Sequence, residues 1–126
     1  MKRKTHSWIL IFGLLALMPP RVAAEERALV VTATAYNSVP EQTDSQPNLA
    51  AWGDSLAPGM KAIAVSRDLI ALGLDHQALV TIVGLSGQYQ VLDKMHPRWE
   101  KRIDIYMGDD LQAARTWGLR QVQIRW

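Results

Sequence analysis

Apolar and polar positions alternate in short runs along most of this chain, and clusters of Gly, Pro, Asn and Asp separate the runs. Residues 28–36 (ALVVTATAY) are rich in Val, Thr and Ala with partial alternation, which predicts a strand. Lys61 to Ser66 (KAIAVS) predicts a second short strand, and Arg67 to Gly73 a turn or a single helical turn ending at Gly73. In residues 77–84 (QALVTIVG), Leu79, Thr81 and Val83 fall on one face and Val80 and Ile82 on the other. Ser86-Gly87 reads as a hairpin turn into residues 88–93 (QYQVLD). Residues 103–107 (IDIYM) and 121–126 (QVQIRW) complete the set of strands. Ahead of the last one, Asp109-Asp110 caps a helix whose two turns run from Leu111 to Trp117, with Leu111, Ala114 and Trp117 on one face and Gly118 as the stop. Many short strands with Gly/Pro turns and one short helix near the C-terminus predict a mostly β, small closed barrel.

Three stretches depart from that pattern. Residues 37–60 carry Asn37, Pro40, Asp44, Pro47, Asn48, Gly53, Pro58 and Gly59, a long loop or paired turns, with Leu49 to Trp52 expected to pack down onto the body. Lys94 to Arg102 is a polar, basic connection containing His96, Pro97 and Trp99. At the start, Lys2, Arg3 and Lys4 precede an apolar run from Trp8 to Met18, then Pro19-Pro20 and Arg21-Val22-Ala23-Ala24. A basic start, a short apolar core and a small-x-small site predict that residues 1–24 are a secretory signal cleaved after Ala24; the alternative is an uncleaved anchor. Residues 25–126 are then the working domain.

Composition changes the picture at two points. The whole chain of 126 residues carries a formal charge of +2. Removing residues 1–24 takes away Lys2, Arg3, Lys4 and Arg21, which leaves ten Lys and Arg against twelve Asp and Glu, a charge of −2. A mildly acidic domain without a basic cluster predicts no nucleic-acid partner. The absence of cysteine rules out disulfide support, a cysteine nucleophile and lipid attachment through an N-terminal cysteine. Beyond residue 24 only His76 and His96 remain. They are separated and lack ligand spacing, which predicts two surface histidines, no metal site and no cofactor.

Aspartates are the remaining candidates for chemistry. Asp93 ends one apolar strand and Asp104 sits inside another, Arg102-Ile103-Asp104-Ile105-Tyr106. Alternation turns Asp104 away from Ile103 and Ile105. It therefore either faces solvent or meets Asp93 across a groove, where mutual repulsion and partial burial raise one carboxyl enough to keep its proton near neutrality.

The runs Thr32-Ala33-Thr34-Ala35-Tyr36, Trp52-Gly53, Pro58-Gly59, Ile63-Ala64-Val65-Ser66, Leu72-Gly73, Val91-Leu92-Asp93, Arg102 to Tyr106 and Ala114 to Gly118, in this order, resemble the three-aspartate domain. That domain occurs in the membrane-bound lytic transglycosylase A family and at the C-terminus of some resuscitation-promoting factors. The resemblance implies a double-psi β-barrel that cleaves peptidoglycan glycan strands by non-hydrolytic transfer. It makes Asp104 the catalytic acid and Asp93 its supporting carboxylate, and Tyr36 falls in its first strand motif. The family's first aspartate falls on Ser66, with Asp68 two residues later, and Lys94-Met95 stands where a Gly-Gly usually follows the middle aspartate.

Substrate contacts are expected from Ser66, Asp68, Tyr36, Trp52, Trp99 and Arg102. Trp52 and Trp99 either stack on sugars or cap the core. Lys94, Arg98, Lys101 and Arg102 either hold lactyl and peptide carboxylates of the polymer or form a solvated loop. The expected activity is a lytic transglycosylase-like cleavage of peptidoglycan, in the periplasm or at the outer membrane. The alternative is a non-catalytic barrel that binds cell-wall glycan or an envelope protein partner. The oligomeric state is left open.

Overall fold

The computed structural model describes residues 25–38 and 48–126. The proposed signal and the middle of the first loop lie outside them. Six strands, β1 (Ala28–Tyr36), β2 (Ala62–Val65), β3 (Leu79–Ile82), β4 (Tyr89–Lys94), β5 (Arg102–Tyr106) and β6 (Arg120–Arg125), are joined with two short helices, α1 (Arg67–Ile70) and α2 (Leu111–Trp117). The strands close into a barrel in the order β1-β5-β2-β4-β3-β6, with β6 returning to β1. β1 with β5 and β2 with β4 are parallel, and the other four pairs are antiparallel. These interleaved parallel pairs give the small double-psi barrel expected.

Alternation explains what fills it. Val31 and Ala33 of β1, Ile63 and Val65 of β2, Val80 and Ile82 of β3, Val91 of β4, Ile103 and Ile105 of β5 and Ile124 of β6 form one buried cluster with Leu69 and Leu74. Nearly all are β-branched, which suits a pleated strand packed on its neighbours. Val83 and Leu79 lie on the exposed face of their segment, as the alternation requires. The strand there is shorter than residues 77–84, because Val83 already begins the turn that carries the chain to β4.

A second, smaller cluster sits on the outer face of the sheet. Ala50, Leu56, Ala62, Leu92 and Tyr106 are buried together, with Tyr36 against them. The loop segment from Leu49 to Ser55, joined by a bridge between those two residues, thus packs down onto the body as expected. Asn37 ties the end of β1 to the turn before α2, its Nδ2 donating to the carbonyls of Met107, Gly108 and Asp110. Gly108 has φ +58, and a Cβ there would stand 3.0 Å from Pro58 Cα, so only glycine fits this close crossing.

α2 has the bounds its caps predict: Asp110 accepts from the Ala113 N–H and Gly118 (φ +66) ends it. Its predicted core face is corrected in part. No residue of α2 is fully buried and Leu111 is exposed. Trp117 does pack against the barrel core, held by its indole N–H on the Ala33 carbonyl. On the outside of an already filled barrel this short helix reaches the core through Trp117, while Leu111 at its other end stays at the surface.

Candidate functional site

Four strands place four residues in one row across the outer face. Thr34 of β1 pairs with Asp104 of β5, Asp104 with Ala64 of β2, and Ala64 with Asp93 of β4. The two carboxylates thus stand two strand spacings apart at the backbone, about 10 Å, over the small side chain of Ala64. Strict alternation would not have put Asp93 there. Ile63 pairs with Val91 but Ala64 with Asp93, so Leu92 is an extra residue in β4. This bulge turns Leu92 into the outer cluster and Asp93 onto the face of Asp104.

The row has different flanks. Toward one end of β5 lie Tyr36 and Tyr106, with ring centroids 5.5 Å apart, and the Tyr106 hydroxyl is 2.7 Å from Ser38 Oγ. Toward the other lie Thr32, Arg102 and Ser66. Tyr36 Oη is buried beside Asp93 without a well-formed hydrogen bond. Burial first, then the charges of Asp93 and Asp104, push its ionisation upward, so the phenol keeps its proton.

Environment separates the two acids. Burial pushes Asp104 up to about 6, and repulsion from Asp93 adds to the rise; a hydrogen bond from Thr34 Oγ1 (3.1 Å) and the charge of Arg102 act against it. Burial also raises Asp93, opposed by the N–H groups of Ala51 (2.8 Å) and Lys94 (2.9 Å), by Tyr36 and by the Lys94 charge. Asp104 is therefore a carboxyl that can donate a proton and take it back near neutral pH. It does point away from the barrel interior, as alternation requires, yet it is only partly exposed rather than bathed in solvent.

The other sequence candidates fall into distinct places. Ser66 is fully buried, and its hydroxyl accepts from the Arg102 N–H (3.0 Å). Asp68, at the exposed first turn of α1, accepts from the Lys101 N–H (2.9 Å). Burial works slightly against its charge, but the Ser66 hydroxyl and these backbone donors hold its carboxyl below the usual range. Together they fix the entry to β5, where Lys101 takes φ +44, and so set the position of Arg102 and Asp104. Ser66→Ala leaves the Arg102 N–H without its acceptor and is expected to cost about 1–3 kcal/mol. Urea denaturation of the two proteins measures this directly.

Trp52 packs against the barrel core and stacks on His76 (4.9 Å between centroids), with Lys94 Nζ 4.9 Å from its ring. Trp99 belongs to neither core cluster and lies 3.9 Å from the Arg102 guanidinium carbon and 4.8 Å from that of Arg98. His76 is corrected from a plain surface residue. It is half-buried, stacked on Trp52, and its Nε2 meets Asp54 Oδ2 in a hydrogen bond that anchors the segment carrying the Ala51 N–H. Asp54 and Thr34 carry no local signal, since their partners lie far away in sequence. Among the described residues no group of three or more His, Asp or Glu side chains is placed to hold a metal.

No family model and no curated protein matches the sequence. Solved structures do resemble the barrel. The apo form of an expansin from Clavibacter michiganensis superposes with a TM-score of 0.51 at 18% identity, covering 78% of this chain and 49% of that one. An aspartate-to-asparagine variant of the same expansin, in complex with cellohexaose, gives 0.51 at 16% identity with the same coverage. The likeness is one of fold. The chain spans about half the length of these structures, so it corresponds to one part of them.

Proposed function

We propose that this barrel binds glycan strands of the cell wall across the outer face of β1, β5, β2 and β4. The observation that carries the reading is the Thr34–Asp104–Ala64–Asp93 row, in which two carboxyls with no Lys or Arg among the described residues at ion-pair distance flank a floor made of one methyl group. Sugar hydroxyls suit such a surface, because each carboxyl accepts their hydrogen bonds and Thr34 Oγ1 and Tyr36 Oη add further polar edges. An expansin, half of whose chain shares this fold, has been captured in complex with cellohexaose, which supports a sugar ligand here. Trp99, outside both core clusters, holds the Arg102 guanidinium beside the row.

The test is co-sedimentation with insoluble peptidoglycan and with cellulose. Wild type is expected in the pellet of at least one, and the Asp93→Asn/Asp104→Asn double variant is expected to bind at least tenfold more weakly, the weight of one or two charge-assisted hydrogen bonds. Equal retention of both proteins would overturn the site, and retention of neither would overturn the function.

One observation favours cleavage in addition to binding: Asp104 holds its proton up to about 6. In this second reading the chain is a three-aspartate barrel with Ser66 in the first aspartate's place. The Asp104 carboxyl gives its proton to the glycosidic oxygen as the C1–O bond breaks. The sugar's own 6-hydroxyl oxygen then bonds to C1 and returns its proton to the carboxylate, so no second acid is needed to activate water. Release of 1,6-anhydro ends from peptidoglycan by wild type, and none by Asp104→Asn, identifies this step. The reading includes export, with residues 1–24 as a cleaved signal and the periplasm or outer membrane as the site of action.

A further inference from the structure

We propose that Arg102, stacked on Trp99 together with Arg98, forms a receptor for a carboxylate carried by the glycan, so that the barrel selects acidic glycans over neutral ones. The inference rests on the glycan-binding reading above and names the substrate class of that site.

The first ground is the state of the two guanidinium groups. Both lie against the same indole, at 3.9 Å and 4.8 Å from the ring centroid. Arg102 Nε is sealed from solvent without a hydrogen-bond acceptor, so stacking rather than hydrogen bonding holds this side chain. Stacking on an aromatic face occupies the plane of a guanidinium and leaves its in-plane N–H edge, the fork that matches a carboxylate, unspent.

The second ground is the absence of an internal anion for that fork. Among the described residues no carboxylate lies within ion-pair distance of a lysine or arginine, and the one contact of that length, His76 with Asp54, involves neither Arg98 nor Arg102. Carboxylates do stand near Arg102, but each is turned elsewhere: Asp104 takes the Thr34 hydroxyl and Asp68 takes the Lys101 N–H. Glu100, in the same connection, makes no ion pair with any of the described residues. A surface arginine with nearby acids usually finds one; here the backbone entry to β5, locked by Ser66 and Asp68, keeps them apart.

Position supplies the third ground. Arg102 precedes Asp104 by two residues on the same face of β5, about 7 Å along the strand. A sugar seated over Asp104 thus presents its own substituent, or its neighbour's, at the Arg102 fork. Arg102 also lowers the affinity of Asp104 for its proton. A ligand carboxylate paired with Arg102 offsets that influence, so an acidic strand favours the protonated form of the acid beneath it.

Two sources carry such a carboxylate, the lactyl ether of muramyl sugars and the uronate of acidic polysaccharides. Isothermal titration calorimetry of the full protein separates them with four soluble probes. These are peptide-free peptidoglycan oligosaccharides, chitin oligosaccharides of the same backbone without lactyl groups, oligogalacturonate, and its methyl ester. Wild type is expected to bind at least one carboxylated probe roughly tenfold or more tightly than its neutral counterpart, the weight of one charge-assisted pair. Which pair shows the preference identifies the source. Arg102→Gln is expected to bind the acidic and neutral probes equally, while Arg98→Gln, at an exposed position that leaves the fold intact, reduces the preference in part. Equal affinity of wild type for charged and neutral members of both pairs overturns the receptor while leaving glycan binding standing. A preference untouched by Arg102→Gln does the same. Binding to none of the four probes overturns the receptor, and together with failure to pellet with either peptidoglycan or cellulose it brings down the glycan reading as well.

Discussion

The Asp104→Asn protein is expected to be more stable than wild type at pH 7.5 and equal to it below about pH 4. Asp104 ionises near an ordinary 3.8 in the unfolded chain and at about 6 in the folded one. The folded state thus holds this proton more tightly, and between those two values unfolding releases it. Stability from this group is fully present at acid pH, falls as the pH rises through the window, and is lowest above pH 6. Over the whole window the loss is on the order of 2–3 kcal/mol, and asparagine removes it while still accepting the Thr34 hydrogen bond. At this chain length each kcal/mol moves the melting temperature by about 4–8 °C, so the difference between the two proteins should be plain in thermal melts taken at pH 4, 5, 6 and 7.5. A constant difference across that range would show that Asp104 titrates as an ordinary surface carboxylate, and cleavage by a neutral acid would lose its support. A gain in stability bought by removing a polar group marks a side chain kept for something other than folding.

Ile103→Ala is expected to cost about 2–5 kcal/mol, a large fraction of the roughly 5–15 kcal/mol that holds a domain together. Ile103 of β5 is fully buried, paired with Ala33 on one side and Val65 on the other. None of these neighbours is large enough to collapse into the space it leaves. The damage should reach the outer face as well, since Arg102 and Asp104 flank it on the same strand. Urea titration should show a large drop in midpoint, with glycan binding weakened before global unfolding. Val30→Ala, on the exposed face of β1, is the control and should stay within about 0.5 kcal/mol of wild type.

The elements whose causes are local could be read directly from the chain. Asp110 and Gly118 bound α2 because a cap and a positive φ are decided within a few residues. Val80 and Ile82 turn inward because alternation has a period of two, and the Ile103–Ile105 pair does the same while forcing Asp104 to the other side. That Asp104 and Asp93 share a face is a different kind of fact. It depends on the extra residue at Leu92, and nothing in Val91-Leu92-Asp93 distinguishes a bulged strand from a regular one. From the residues alone a shared groove was one of two alternatives, the other being an Asp104 that faces solvent. His76 with Asp54, and Thr34 with Asp104, were illegible for the same reason: 22 and 70 residues separate the partners, and only barrel closure joins them. Ser66 carried a further lesson, since a buried hydroxyl that caps the start of β5 has the same sequence appearance as a surface turn residue.

The parallel pairing of β1 with β5, and the return of β6 to β1, also governs how fast this domain can form. Every rung between β1 and its two neighbours joins positions about seventy or more residues apart. Loops of that size must close before any contact repays the lost chain entropy, so the folding rate belongs to the slow, millisecond-to-second end for small domains. No fragment that stops short of β5 holds Asp104 against Thr34. The Thr34–Asp104–Ala64–Asp93 row is therefore assembled late and all at once, and an incompletely folded chain displays no partial version of it.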